Sequence, residues 1–446
     1  MPALSRISPG GSARRHNQGS AIASALFAAG LFALPSPSVA AACDTAGLRL
    51  PAGYCATLFA QDNDQPRHIA VGPDGTVYAN LSRPEDGHDL LAMRDSNGDG
   101  KADQTHTFGN GGATGLTLHN GWLYAAGVTD IWRYPISHKT DSNGPSTDMP
   151  ASDSGQRVVR NLPMQRTHAA RGLAVDDHDH LFVAIGAPSN ACQKADRVPG
   201  SMGQDPCPLL KTHGGVWQFS ASQIGQRFSP DKRFATGVRN LFALAWDTQS
   251  ARLYGVQMGR DQLDSLWPKQ FNTKQGVNLP AEVLLAVEQD SDFGWPYCYY
   301  DNQKQANLLN PEYGGDASKV GTCDTFAPPI AAYPAHWAPM AMAFKYGDSF
   351  PAPFNNGAFI AFHGSWNRAP APQGGFQVIF QPFADGKPSG QWRTFAGEQG
   401  FTGEQTLRSP SAADHRPSGL AVGPHGALYI SDDRGGAIYR VTYQGQ

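Results

Sequence analysis

The sequence predicts an all-β protein, a six-bladed β-propeller of four-stranded antiparallel blades. Three observations carry that prediction. Gly and Pro, 50 and 34 of 446 residues, together stand well above their usual share of about 12%. Charged residues make up 16% of the chain, against about 25% in ordinary domains, which disfavours coiled coils and long helical arrays. Finally, one short pattern recurs at irregular spacing: an apolar pair, a tight turn, then an aliphatic-aromatic strand.

The copies run in order over residues 68–78, 115–124, 172–183, 243–254, 341–360 and 419–429. Each reads as strand, turn, strand. The turns Pro73-Asp74-Gly75 and His119-Asn120-Gly121 have hairpin chemistry, with Gly or Asn supplying positive φ. A third strand follows several copies, at 131–134, 215–219 and 437–441, where apolar and polar residues alternate. Six such hairpins are hard to place in a sandwich, whereas a radial array protects their edges. The interval between the fourth and fifth copies, about 255 to 340, must carry inserted loops, and long loops in compact domains tend to be functional.

Residues 1–42 read as a secretory signal peptide, and 43–446 as one propeller. Arg6, Arg14 and Arg15 precede an apolar run over 21–34, followed by the small residues of 38–42, with cleavage expected between Ala40 and Cys43. That run is too short to span a bilayer. The six cysteines fall into three sequence-local couples, Cys43–Cys55, Cys192–Cys207 and Cys298–Cys323, which suits an oxidising, periplasmic or secreted location. Hydrophobic residues make up 40% of the chain and the net charge is −3. Disorder is thereby disfavoured, and nucleic acid and anionic membranes are poor candidate partners.

Three cationic or basic residues sit where the chain leads into an inner strand: His168 before the third hairpin, Arg239 before the fourth, Arg416 before the sixth. A histidine there can act as a general base. Arg239 with Asn240 offers fixed donors to a carboxylate or a quinone oxygen. Equivalent positions on successive blades converge on the central channel. The stretch from Asp95 to Asp103 places oxygen side chains at alternate positions, as in a calcium loop, but His106 stands where the bidentate Glu belongs; it reads as a polar turn or a weak calcium site. Asp292-Phe293-Gly294-Trp295-Pro296-Tyr297 and His363-Gly364-Ser365-Trp366-Asn367-Arg368 are dense in aromatic residues and Gly, which suits either a flat ligand or propeller packing. A serine nucleophile elbow, a phosphate-cradling Gly loop and a zinc His pair at helical spacing are all missing from the sequence.

Taken together, these blocks resemble the pyrroloquinoline-quinone (PQQ)-dependent sugar dehydrogenases of the soluble aldose and sorbosone type. The resemblance rests on 167–186, 237–240, 292–296, 362–368 and 416–432, in family order. It implies PQQ and Ca2+ as cofactors, and hydride transfer from a sugar or sugar-derived aldehyde or lactol to the quinone. It implies His168 as the base, with Arg239 and Asn240 at the quinone and Arg416 on a quinone carboxylate. Calcium would be held by backbone carbonyls of Gly259 and Arg260. A glucose-type enzyme carries a Lys where this chain has Asn367, so either Arg368 replaces it at the quinone or the site differs. The partners implied are a small sugar or aldehyde and an electron acceptor, a quinone or a cytochrome. A secreted propeller that binds a glycan or protein without redox chemistry is the alternative. A calcium-dependent lactonase ranks last, because few carboxylates stand just before the inner strands.

Overall fold

The computed structural model describes residues 44–445 apart from 62–64, 86, 110–113, 137–139, 142–143, 146–148, 400 and 402–406. The expected signal peptide, residues 1–42, and Cys43 lie outside the described residues. Each of the six repeated hairpins forms the two inner strands of one antiparallel sheet. Blade 1 runs Pro66–Val71, Val77–Glu85, His88–Arg94 and Gln104–Phe108. Blade 2 uses Leu116–His119, Trp122–Ala126, Ile131–Pro135 and Gln156–Arg160, with Gln226–Arg227 added in parallel at its outer edge. Blade 3 is Leu173–Val175, His180–Ile185, Gly215–Ser220 and Arg233–Thr236. Blade 4 is Ala243–Asp247, Arg252–Gln257, Glu282–Val287 and Ala331–Tyr333. Blade 5 is Pro339–Tyr346, Asn356–Phe362, Gln377–Ala384 and Arg393–Gln399, edged by Leu48–Arg49.

Blade 6 is built from both ends of the chain. Its first three strands are Pro417–Val422, Leu428–Asp432 and Ala437–Tyr443, and its fourth is Tyr54–Ala60. The innermost strands touch in a closed ring, each blade's against the next and blade 6's against blade 1's. The hairpin pattern does not predict the two-ended blade, because Tyr54–Ala60 carries no hairpin signal of its own. A strand that pairs only across the whole chain has no local signature.

Each pair of adjacent blades encloses its own apolar layer. Leu90 and Tyr78 of blade 1 meet Leu116 and Leu123 of blade 2. Tyr124 and Ile131 of blade 2 meet Leu181 and Val183 of blade 3. The same holds around the ring, to Phe59 and Tyr429 of blade 6 against Ile69 and Leu91 of blade 1. Strands buried on both faces lose their polar alternation, which is why Leu428–Asp432 and most of His180–Ile185 are buried throughout.

Insertions crown one face. The second strand of blade 3 leads into residues 186–214, closed by the disulfide Cys192–Cys207. Blade 4 inserts 258–281, with the short helices Leu263–Leu266 and Thr273–Asn278, and 288–330, with the hairpin Cys298–Asp301 and Ala306–Leu309 and the disulfide Cys298–Cys323. Cys55 is also disulfide-bonded. These loops interlock. Trp295 is buried against Cys192 and Cys207 and donates from Nε1 to the Asn190 carbonyl at 3.0 Å. Through Trp295, the Asp292–Tyr297 block packs the two insertions against each other. In the Asp95–Asp103 loop, Asp95 accepts from the amides of Gly98 and Gly100, and Asp103 from the amide and hydroxyl of Ser96. These are the bonds of a polar turn. Among the described residues no helix is long and apolar enough to cross a membrane.

The junction of blades 5 and 6 predicts a measurable cost. The ring of Tyr54 packs against Phe350, Phe354 and Phe395 with centroids at 5.0, 5.7 and 5.1 Å. Tyr54→Ala should destabilise the fold by about 3–5 kcal/mol, as for other buried aromatics. Equilibrium urea unfolding checks this, and a loss below about 1 kcal/mol would show that the closing strand is dispensable.

Candidate active site

All innermost strands leave the same end of the ring, so the residues before them, and the loops after each second strand, gather on one face. His168 stands just ahead of the first strand of blade 3, with φ 55°. The amide of Gln165 holds this turn, donating from Nε2 to the carbonyls of Thr167, His168 and Gly186 at 3.0, 2.6 and 3.0 Å. Gly186 is required here: a Cβ would come within 2.8 Å of His168 Cβ and 2.9 Å of Asn240 Oδ1. The imidazole Nδ1 lies 2.6 Å from the Ala187 carbonyl. A carbonyl can only accept, so Nδ1 carries the proton and Nε2 keeps its lone pair. Burial, then the Arg239 charge, pushes the His168 pKa down to about 4. The ring is a neutral base at every physiological pH.

Arg239 and Asn240, just ahead of the first strand of blade 4, adjoin it. The Ala187 amide donates to the Arg239 carbonyl at 2.8 Å, tying blade 3's loop to the start of blade 4. The buried guanidinium donates from Nη1 to the Gly259 carbonyl at 2.8 Å and from Nη2 to Asp261 Oδ2 at 2.7 Å. Asn240 is buried with Oδ1 unpartnered.

Asp261 is the centre of this network, and sequence reading missed its role. Its Oδ2 accepts from Arg239 and from Arg197 of the blade 3 insertion, at 2.7 and 2.9 Å. Its Oδ1 accepts from Asn367 of blade 5 at 2.9 Å. The main chain of Asp261 makes two bonds to the Asn190 side chain, both 2.9 Å. Burial alone would raise the carboxyl's pKa, but Arg239, His336 and Arg197 outweigh it and hold the group well below the usual range. His336 Nδ1 lies 3.9 Å away, but burial lowers its own pKa, so at neutral pH the two arginines carry the attraction. Nearby, Glu282 accepts from the amides of Gly259 and Ala338 at 2.7 and 3.1 Å, bridging blades 4 and 5, and burial pushes its pKa up to about 7.

A second polar cluster lies where blades 6 and 1 begin. The Arg416 guanidinium stacks over Phe376 at 5.2 Å and donates to the Pro410 carbonyl at 2.9 Å. Its Nη1 is 3.4 Å from His363 Nδ1, while His363 Nε2 is 2.8 Å from Asp433 Oδ1. Arg67, at the start of blade 1, is 3.8 Å from the other oxygen of Asp433. The positional rule that singles out Arg416 would have found Arg67 as well.

The side chains of Arg260 and Arg368 are directed elsewhere; the donor expected of Arg260 is its main-chain carbonyl. The Arg260 side chain is buried away from Arg239's network, donating to Asn310 at 3.0 Å and to Glu312. Arg368 is buried against main chain, donating to the carbonyls of Ala335, Val277 and Pro372 at 2.9, 3.1 and 3.3 Å. It does not replace the absent lysine; Asn367 reaches the site instead. The physical reason is that a buried guanidinium needs many acceptors, and carbonyls at the blade 4–5 seam supply them.

Among the described residues no group of three or more His, Cys, Asp or Glu gathers as a metal site. A hard cation held here would take carbonyl and amide oxygens. The Gly259 carbonyl and Asn240 Oδ1 are of that kind. An anionic ligand would meet Arg239 and Arg416.

The fold and the site define a class: a six-bladed propeller with a neutral imidazole beside buried arginines on its loop-bearing face. The chain belongs to the TrAA12-like family, whose model matches residues 48–444. A pyrroloquinoline quinone-dependent sugar dehydrogenase of Hypocrea jecorina is 22% identical over 341 residues, 73% of this chain and 72% of that protein. The holo PQQ domain of pyranose dehydrogenase from Coprinopsis cinerea superposes with a TM-score of 0.67 at 18% identity, over 89% of this chain and 97% of that one. The calcium structure of the Trichoderma reesei family AA12 enzyme gives a TM-score of 0.67 at 18% identity, over 90% and 98%. Both solved structures share the propeller.

The Asp261 network generates a stability test. Asp261→Asn leaves Arg239 buried without its counter-charge, a change that costs about 3–5 kcal/mol. The pKa of Asp261 is lower folded than unfolded, so its stabilisation is complete above the unfolded value and fades as pH falls toward the folded one. The difference between wild type and variant should therefore be constant above about pH 5 and shrink below about pH 4. Chemical unfolding across pH measures it.

Proposed function

We propose that the protein is a PQQ- and calcium-dependent dehydrogenase that oxidises a sugar, or a sugar-derived aldehyde or lactol, and passes electrons to a quinone or cytochrome acceptor. The observation that carries this reading is His168: a base with its free Nε2 fixed by tautomer, next to the donors of Arg239 and Asn240. Family membership and the named activity of the Hypocrea jecorina relative support it. The disulfides support maturation in an oxidising, exported compartment.

The residues present fit these cofactors. The unpartnered Asn240 Oδ1 and the second lone pair of the Gly259 carbonyl are oxygen donors suited to calcium. Arg239 and Arg416 suit the carboxylates and carbonyls of the quinone. PQQ, when bound, supplies the two-electron acceptor for the substrate's hydride.

The protein's part is then positional and electrostatic. Nε2 of His168 accepts the substrate hydroxyl proton, while its Nδ1–H stays on Ala187 and keeps the ring aligned. Arg239, pinned by Asp261, presents positive charge where negative charge builds on oxygen. Arg416, stacked on Phe376, fixes the far side of the anionic ligand.

Reconstitution tests this directly. The purified protein titrated with PQQ and Ca2+ should gain a quinone absorbance that bleaches on adding sugar; no uptake at micromolar PQQ would sink the reading. His168→Ala should keep PQQ binding while turnover falls by about 10²–10⁴-fold, the usual worth of a general base.

A pH profile provides an independent check. The base works unprotonated, so kcat/KM should stay level from about pH 7 to about 5.5 and fall only near the lowered His168 pKa of about 4. An acid limb centred near 6.5, the ordinary His value, would contradict the assigned environment.

A further inference from the structure

We propose that Trp366 is the stacking platform on which the site receives a pyranose ring. This inference rests on the sugar-oxidising reading above and names a binding residue for it. Trp366 is 54% exposed and is the one aromatic among the strongly exposed large apolar residues in the described chain. An indole is usually buried, since its large apolar area gains most from leaving water.

Mobility does not account for the exposure. Both sides of the residue are pinned. Ser365 is buried, its hydroxyl donating to Gln373 at 2.7 Å and accepting from the Gly374 amide at 2.9 Å. The Ser365 amide donates to the Gly374 carbonyl at 2.8 Å. Arg368 is locked to three carbonyls. The loop thus holds its tryptophan out at little conformational cost.

The place of the loop gives the exposure meaning. His363, three residues before, belongs to the Asp433–Arg416 cluster. Asn367, the next residue, bonds to Asp261 and so to the Arg239 cluster. The segment from 363 to 367 therefore bridges the two polar clusters of the loop-bearing face, and Trp366 is its solvent-facing member. A pyranose has an apolar C–H face and hydroxyls at its edge. An aromatic plane beside a ring of fixed donors matches that chemistry. Acyclic aldehydes have no such face and gain little from it.

The test has two arms. In the first, protein without cofactor is titrated with glucose, galactose and xylose while tryptophan fluorescence is followed. Wild type should show a saturable change, Trp366→Ala none, and Trp366→Phe should retain sugar binding measured by calorimetry. In the second, the PQQ- and calcium-loaded enzyme is assayed. Trp366→Ala should raise KM for pyranoses by about tenfold or more, the scale of one lost apolar contact. Its kcat should change by less than about twofold, as for a uniform binding interaction. KM for glyceraldehyde should not move. An active enzyme whose pyranose KM is unchanged in Trp366→Ala, or whose kcat falls instead, overturns the platform and leaves the dehydrogenase reading standing. Absent quinone uptake in wild type overturns the dehydrogenase reading, and the fluorescence arm then still decides whether Trp366 meets sugar. Matching thermal unfolding of wild type and variants excludes a folding defect.

Discussion

A ring of sheets is stable only if it closes. Six blades laid side by side would leave the first and last apolar faces in water and two strand ladders unpaired. The chain removes both defects by returning Tyr54–Ala60 to the edge of Ala437–Tyr443. The aromatic packing of Tyr54 then joins blade 6 to blade 5, and Phe59 joins it to blade 1. Closure has a directional consequence. Every inner strand must run the same way along the axis, so the six segments that lead into them converge on one face. A base, four arginines and their carboxylates from four different blades gather on that face only because of that constraint.

The converging charges create a second problem, and its solution shapes the site. Arginines placed together repel one another and lose hydration, so each needs a partner in place before any ligand arrives. Asp261 serves the first cluster and Asp433 the second. Each carboxylate is shared by groups from different blades, which makes the charges a spacer as well as a neutraliser. His168 is held neutral by the same field, since burial and Arg239 both disfavour its protonation. Its neutral form is thus favoured first by burial and then by the arginine beside it.

The repeat was legible because hairpins are local. Pro73-Asp74-Gly75 and His119-Asn120-Gly121 announce turns within a few residues, and the strands beside them follow from composition. The positions ahead of the inner strands were legible by extension: once six hairpins were aligned, His168, Arg239 and Arg416 occupied equivalent places. The closing strand was not legible, because its partner lies at the far end of the chain. Asp261 was not legible as a centre either, since its partners Arg197, Arg239 and Asn367 come from three separate stretches. Arg368 was misplaced for a related reason. Adjacent residues on an irregular loop point in different directions, and sequence spacing alone does not say which of Asn367 and Arg368 faces inward.

That last difference bears on what the site can recognise. A lysine reaching in from blade 5 would add a mobile, strongly hydrated charge. Asn367 contributes no charge, and its amide donates to a carboxylate that already pairs with two arginines. With Arg368 committed to carbonyls, blade 5 brings the rim a neutral amide and an exposed indole. The cationic side of the site then falls to blades 1, 3, 4 and 6, and the blade 5 edge is left more apolar. A ligand with one anionic end and one carbohydrate partner would therefore meet two chemically distinct walls. The asymmetry follows from a single loop in which an outward tryptophan, an inward amide and a buried arginine occupy consecutive positions.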